Sequence, residues 1–286
     1  MTILLAVGAA IGWGASDYFG GDASRHEVPV FVIVAIAELL GALLLMPVLA
    51  LRGAPPASPR LLMAVLAGVS VTVELSLIYR ALGRGLAFIT APTGALGAAL
   101  AVTFGLFTGD RLDAGVAIGL ACALVGAGVS GWTPPGADHA SADSGWQIVG
   151  ICMAAALAVA VTLATLHAAG RVDPLWATFT EHASTAVSAA LAALVSRRRS
   201  PAQVLGLTGQ MRLLLLIATV GVGGDLAYTA ASTGGAVSIV AAIASLYPVT
   251  TILLGRLLQD QRPTRAQLAG CVVALLGAAL LGITTG

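Results

Sequence analysis

Ten stretches of about twenty residues, each nearly free of charge, leave this 286-residue chain one medium to fold in. Roughly 30 Å of hydrocarbon at 1.5 Å per helical residue needs about 20 apolar residues per crossing. Residues 2–20, 29–51, 60–82, 86–108, 112–131, 146–168, 175–195, 211–232, 236–258 and 265–284 meet that length. The breaks between them are polar or rich in Pro and Gly, as in RGAPPASPR (52–60), TPPGADHASADSG (133–145), SRRRSPAQ (196–203) and QDQRPTRAQ (259–267). Hydrophobic residues make up 58% of the chain and charged ones 9%, against about 25% charged in a soluble domain. Ten-residue segments of alternating polarity are absent, which argues against a membrane β-barrel. The sequence therefore predicts an all-α membrane protein of ten transmembrane helices.

Several classes of function drop out on the same grounds. A net charge of +1 gives no electrostatic footprint for nucleic acid. The 14 basic residues are all Arg, which reads as coding bias. Cys122, Cys152 and Cys271 fall in separate apolar runs, with no disulfide framework and no metal spacing. No P-loop is present, so ATP does not drive the protein directly, and no cofactor is expected. The start of the chain reads as a first membrane helix and not as a cleaved signal.

The chain repeats itself at a shift of 150 residues. Gly85, Ile89, Ala91, Leu96, Gly105 and Asp110 match Gly235, Ile239, Ala241, Leu246, Gly255 and Asp260. One inserted residue later, GLACALVGA (119–127) lies over GCVVALLGA (270–278). The unit is five helices: residues 1–132 form the first repeat, 133–145 the connecting loop and 146–286 the second. An odd number of spans inverts the second copy, giving two inverted five-helix repeats. That architecture belongs mainly to transporters.

These features resemble an EamA-type permease of the drug/metabolite transporter superfamily. The resemblance is carried by the early WG of GWGASDYF, the Tyr of IYRALGRG, APTGAL in the fourth span, SLYPVTTILL in the ninth, and the acid-then-Gly starts GDRLDAGVAIG and QDQRPTRAQLAG. It implies a multi-pass permease of the cytoplasmic membrane, often an exporter of small metabolites, with a cavity lined by spans 1, 3, 4 and 6, 8, 9. The sequence departs from the pattern at Asp260, where Glu is usual, and at Ala98, which stands where symmetry with Pro248 would put a proline. Loops after odd-numbered spans hold ten Arg and those after even-numbered spans four, which places both termini outside; the resemblance implies both inside, and orientation stays open.

Acids inside the spans are the best guide to a site. A carboxylate at the middle of a membrane helix costs about 2.5–3.5 kcal/mol on insertion scales. Glu38, Glu74, Glu181 and Asp225 lie well inside their spans, with no Arg at comparable depth. Water, protonation or hydrogen bonds must accommodate them. Glu74 and Asp225 occupy matching places in spans 3 and 8 and precede Tyr79 and Tyr228. They are the candidates for proton coupling, the alternative being an interhelical bond that holds the bundle together. Glu38 and Glu181 read instead as ties between helices, with His182 as a partner for Glu181.

Trp13 and Asp17 share a face of the first span and read as a cavity wall with an acid at its lip, or else as a packing residue and an interfacial acid. Pro92 and Pro248 remove backbone donors and predict helix kinks, with Thr90, Thr93, Ser245 and Tyr247 clustered near them. The predicted substrate-binding set is thus Trp13, Asp17, Glu74, Tyr79, Thr90, Thr93, Asp225, Tyr228, Ser245 and Tyr247. The function expected is alternating-access secondary transport, with an uncoupled exchanger or facilitator as the alternative. A membrane enzyme is disfavoured, because no nucleophile sits beside a base. Partners expected are a small-molecule substrate and the lipid bilayer; a homodimer is left open.

Overall fold

The computed structural model describes residues 1–25, 28–83, 90–107, 113–130, 145–197, 207–259 and 264–285. Among these, every regular element is helical: α1 (Thr2–Ala23), α2 (Val30–Arg52), a single 3₁₀ turn (Pro59–Leu61), α3 (Leu62–Gly83), α4 (Thr90–Phe107), α5 (Ala114–Ser130), α6 (Gly145–Gly170), α7 (Pro174–Arg197), α8 (Leu207–Gly234), α9 (Val237–Ala244), α10 (Tyr247–Gln259) and α11 (Arg265–Thr285). Six stretches among the described residues are long and apolar enough to cross a membrane: Thr2–Ala23, Val30–Arg52, Pro59–Leu82, Gly150–Gly170, Gln210–Gly234 and Val237–Leu258. The chain is a multi-pass integral membrane protein. α7 is 24 residues long but carries Glu181 and His182 in its interior, which lowers its hydropathy.

The helices wear their apolar side outward. On α2, Leu39, Leu43 and Met46 are about half exposed, while Glu38, Gly41 and Ala42 are buried. Large apolar side chains face the hydrocarbon, and small or polar ones face neighbouring helices, as packing in lipid demands.

The ninth predicted span is broken. α9 ends at Ala244 and α10 begins at Tyr247, so Pro248 is the second residue of a new helix. A proline in a first turn removes no bond the helix needs. The predicted kink is thus a break at Ser245–Leu246, closed by Leu246 N–H donating to Ile243 O. Pro92 lies in the first turn of α4, where it breaks no interior bond of that helix; its side chain and that of Thr90 lie outside the described residues.

Each helix packs mainly on a helix from the other half of the chain. α1 runs along α8 and against α9 and α10; α6 runs along α3 and α4. α2 packs on α7, α4 on α9, α5 on α11, α2 on α8 and α3 on α7. At the crossing of α1 and α8 the backbones nearly touch. A Cβ at Gly12 would stand 2.6 Å from the Val220 carbonyl oxygen and 2.8 Å from Gly224 Cα.

Asp173 fixes the start of α7. Its Oδ1 accepts from Leu175 N at 3.0 Å and Trp176 N at 3.1 Å, capping the helix ahead of Pro174. Its Oδ2 takes Arg52 of α2 at 2.7 Å. Arg52 is half exposed, so the pair adds little and the cap adds more. Asp173→Ala is expected to lower stability by about 0.5–2 kcal/mol, whereas Asp173→Asn, which keeps the cap, loses less. Thermal unfolding of the detergent-purified variants reads the difference.

Candidate functional site

A partly enclosed cavity lies between the two halves of the bundle, with about 570 Å³ of space not filled by protein atoms when the open solvent at its mouth is included. α1 contributes Trp13, Ser16 and Asp17 to its wall, α2 contributes Glu38, and α3 contributes Val71, Glu74 and Leu75. The far wall is Val159, Thr162 and Leu163 of α6, Gly221 and Asp225 of α8, and Tyr247 of α10.

Helix geometry accounts for the assembly. The close crossing of α1 and α8 sets the Trp13 indole over α8, where its Nε1 donates to Asp225 Oδ1 at 2.8 Å. The same indole packs against the Tyr228 ring, with centroids 5.3 Å apart. Across the cavity, Thr162 Oγ1 donates to Glu74 Oε2 at 3.3 Å. Asp17 is 5% exposed and lines the same space.

Of the predicted set, Trp13, Asp17, Glu74, Asp225 and Tyr247 meet in this cavity. Tyr79 and Tyr228, expected as walls, lie behind it as fully buried struts. The Tyr79 hydroxyl pairs with Ser16 Oγ at 3.1 Å, and Tyr228 OH donates to the Leu163 carbonyl at 2.9 Å. Tyr79 thus ties α3 to α1 and Tyr228 ties α8 to α6, because a phenol buried that deep needs a polar partner. Ser245 turns its hydroxyl onto Ala242 O at 2.7 Å, at the break between α9 and α10. Thr93 is buried in α4 and does not line the cavity.

The sequence reading left Glu38 out, and the structure places it in the cavity wall. Glu38 Oε2 and His182 Nδ1 share a hydrogen bond. Gly41, one turn along α2, leaves room for that ring: a Cβ there would stand 2.9 Å from His182 Nδ1. The other ring nitrogen, Nε2, faces Asp225 Oδ2 at 3.3 Å and Glu181 Oε2 at 3.7 Å. Glu181 Oε1 accepts from Thr185 Oγ1 at 2.9 Å. The signal for this cluster was present in the chain: an acid in span 2 and a Glu-His pair in span 7, at similar depths.

The electrostatics are one-sided. Asp17, Glu38, Glu74 and Asp225 line the cavity, and no Arg does among the described residues. The described salt bridge to an Arg, Arg52–Asp173, lies at the helix ends away from this space. Carboxylates around one low-dielectric cavity repel each other when ionised. His182 can offset charge on Glu38 and Asp225 from behind; Asp17 and Glu74, when ionised, draw positive charge from outside: a proton, an organic cation or a metal ion.

Comparison with known proteins agrees with this architecture. One solved structure, described only as a crystal structure of a protein, superposes with a TM-score of 0.72 over 97% of both chains at 19% identity, which establishes a shared fold. No curated protein matches the chain. The model of the EamA-like transporter family matches residues 1–132 and again residues 145–283, nearly the full length. The chain belongs to the EamA-like transporter family, whose members are generally membrane transporters.

Proposed function

We propose that the protein is a secondary-active exporter of a small cationic metabolite, exchanged for protons across the cytoplasmic membrane by alternating access. The observation that carries this reading is the wall of the cavity: four carboxylates, a Trp and a Tyr, and no Arg among the described residues. A cation entering the site meets ionised carboxylates, and aromatic faces add to its binding. When it leaves, protons restore neutrality. Asp225 and Glu74 are the carboxyls that trade one for the other. They stand on opposite walls, α8 and α3, and each holds one hydrogen bond from a helix of the other half.

The architecture proposed is ten spans arranged as two inverted five-helix repeats, residues 1–132 and 146–286, joined by 133–145. The helix pairings support it. Exchanging the first five spans for the last five turns α1–α8 into α6–α3, the contact of α1 with α9 and α10 into α6–α4, and α2–α8 into α7–α3. The pairs α2–α7, α4–α9 and α5–α11 map onto themselves. A set of contacts that survives the exchange fits a two-fold relation between halves, and five spans per half invert the second. Rocking of the halves would open the cavity to either side in turn.

A ligand-binding screen tests the substrate class. The purified protein is heated with a panel of amines and quaternary ammonium compounds, sugars, nucleosides and organic acids. A ligand that binds only the folded state raises the melting temperature, by about 2.7 kcal/mol of stabilisation at a hundred times its Kd. Shifts confined to cations are expected. Shifts confined to anions or neutral sugars contradict the proposal.

A further inference from the structure

Of the carboxyls that line the cavity, Asp17 stands apart. Asp225 takes the Trp13 indole N–H at 2.8 Å, Glu74 takes the Thr162 hydroxyl at 3.3 Å, and Glu38 shares a hydrogen bond with His182. Asp17 accepts no hydrogen bond from any described residue, although it is only 5% exposed and lines the same space. The donor beside it on α1 is committed elsewhere, since Ser16 Oγ pairs with the Tyr79 hydroxyl. An ionised carboxylate held in a membrane bundle without donors carries a heavy cost. A ligand that brings charge and N–H groups together removes that cost.

Resting on the cation transport proposed above, we propose that Asp17 is the acceptor that grips the head of the substrate, and that the substrate class is an N–H-bearing amine with an apolar body and no carboxylate, in preference to a quaternary ammonium ion or an amino acid.

Three features carry the assignment. The first is hydrogen bonding. A protonated amine donates N–H to the free Asp17 oxygens, and such charge-assisted bonds are roughly twice as strong as neutral ones. A quaternary ion has the same charge and no N–H, so it leaves those oxygens without a donor. The second is the body of the ligand. Trp13 lies one turn from Asp17 on the same face of α1 and also lines the cavity. Val71 and Leu75 of α3 and Val159 and Leu163 of α6 add apolar surface to the wall. An alkyl or arylalkyl chain is the match for that surface. The third is charge. No Arg lines the cavity among the described residues, and the His182 ring is engaged behind the wall by Glu38. The carboxylate of an amino acid would therefore enter among acids with no cation to meet it.

The test is isothermal titration of the full chain, purified in detergent at neutral pH, with ligands built on one skeleton. These are 2-phenylethylamine, its N,N-dimethyl and N,N,N-trimethyl derivatives, 2-phenylethanol and phenylalanine. Charge and ring stay constant along the three amines while the N–H groups are removed. The primary amine is expected to bind roughly 10–100-fold tighter than the trimethyl ion, with the alcohol and the amino acid weakest. Asp17→Leu should bring the ratio of primary to trimethyl close to one, and Asp17→Glu should keep a preference for the primary amine. Because Asp17 has no partner in the fold, Asp17→Leu should not lower the ligand-free melting temperature. Glu74→Gln should weaken all three amines and keep the ratio, since the Glu74 carboxyl already holds a donor. Should Asp17→Leu fail to fold, infrared difference spectra of Asp225→Asn with carboxyl-labelled aspartate decide, because Asp17 is then the remaining Asp among the described cavity residues. A carboxylate band shifted by the primary amine and not by the trimethyl ion supports the assignment, and an unmoved band overturns it. A ratio near one in the parent, a ratio that survives in well-folded Asp17→Leu, or tight binding of phenylalanine also overturns it while cation transport stands. No binding by any of the cations overturns both.

Discussion

Asp225→Asn should lower affinity for the transported cation by roughly 10–100-fold and leave the fold in place. The substitution isolates charge from shape. Asn keeps an oxygen to accept the Trp13 indole N–H, now at 2.8 Å from Oδ1. It keeps the volume of the side chain in the α8 wall and the contact of Trp13 with Tyr228. What goes is the negative charge facing both the cavity and His182. A charge-assisted hydrogen bond contributes about 1.5–3 kcal/mol, and each 1.4 kcal/mol is a factor of about ten in affinity. Titration of a cationic ligand against parent and variant measures the loss, while the ligand-free melting temperature reports the fold. An unchanged affinity would move substrate recognition to Asp17 or Glu74. Glu74→Gln is the companion variant, and the two together should exceed either alone because they face one cavity.

The second large effect is structural. Gly12→Val should destabilise the protein by about 1–3 kcal/mol or more, or prevent its recovery as a monodisperse species. The obstacle is backbone and not a movable side chain: Val220 O and the Gly224 backbone lie within 2.8 Å of the position a Cβ would take. α1 must back away from α8, and with it goes the hydrogen bond from Trp13 to Asp225. A variant that survives should therefore lose cation binding along with stability. Val at Gly223 of α8, where nothing lies within 4 Å of an added Cβ, is the control on the facing helix. Melting curves of the two variants in detergent decide it; equal stability would mean the crossing is looser than described.

How far the sequence announced these features differs from place to place. The long apolar spans were legible because the thickness of hydrocarbon and the rise of a helix fix a length that composition reveals directly. α7 was legible by length and by the polar breaks around it, although its buried Glu181 and His182 dilute its hydropathy. The break between α9 and α10 was half legible. Pro248 marked the place, but the helix breaks at Ser245–Leu246, because a proline is at home in the first turn of the helix that follows.

The site shows the same division. Acids in spans are costly, so Asp17, Glu74 and Asp225 stood out one at a time, and they line one cavity. The partners did not stand out. Trp13 reaches Asp225 across 212 residues of sequence, and Glu38 reaches His182 across 144. Such pairings depend on which helices touch, and periodicity within a span carries no record of that. Glu38 and Glu181 looked like ties between helices; the Glu181 carboxylate accepts from Thr185 of its own helix. Glu38 serves on both counts, tying α2 to α7 through His182 and facing the cavity. Tyr79 and Tyr228 looked like walls because aromatic residues near acids often are; their hydroxyls are taken by Ser16 and by the Leu163 carbonyl, which draws them into the packing.

The most direct test of cation–proton exchange uses proteoliposomes that trap a pH-sensitive dye. Cationic, neutral and anionic compounds are added outside in turn, and the lumenal pH is followed. The account predicts that cations alone move protons, in the direction opposite to their own movement, and that Asp225→Asn liposomes stay silent. Cation movement at the same rate with or without a proton gradient, or proton movement driven only by anions, would contradict it.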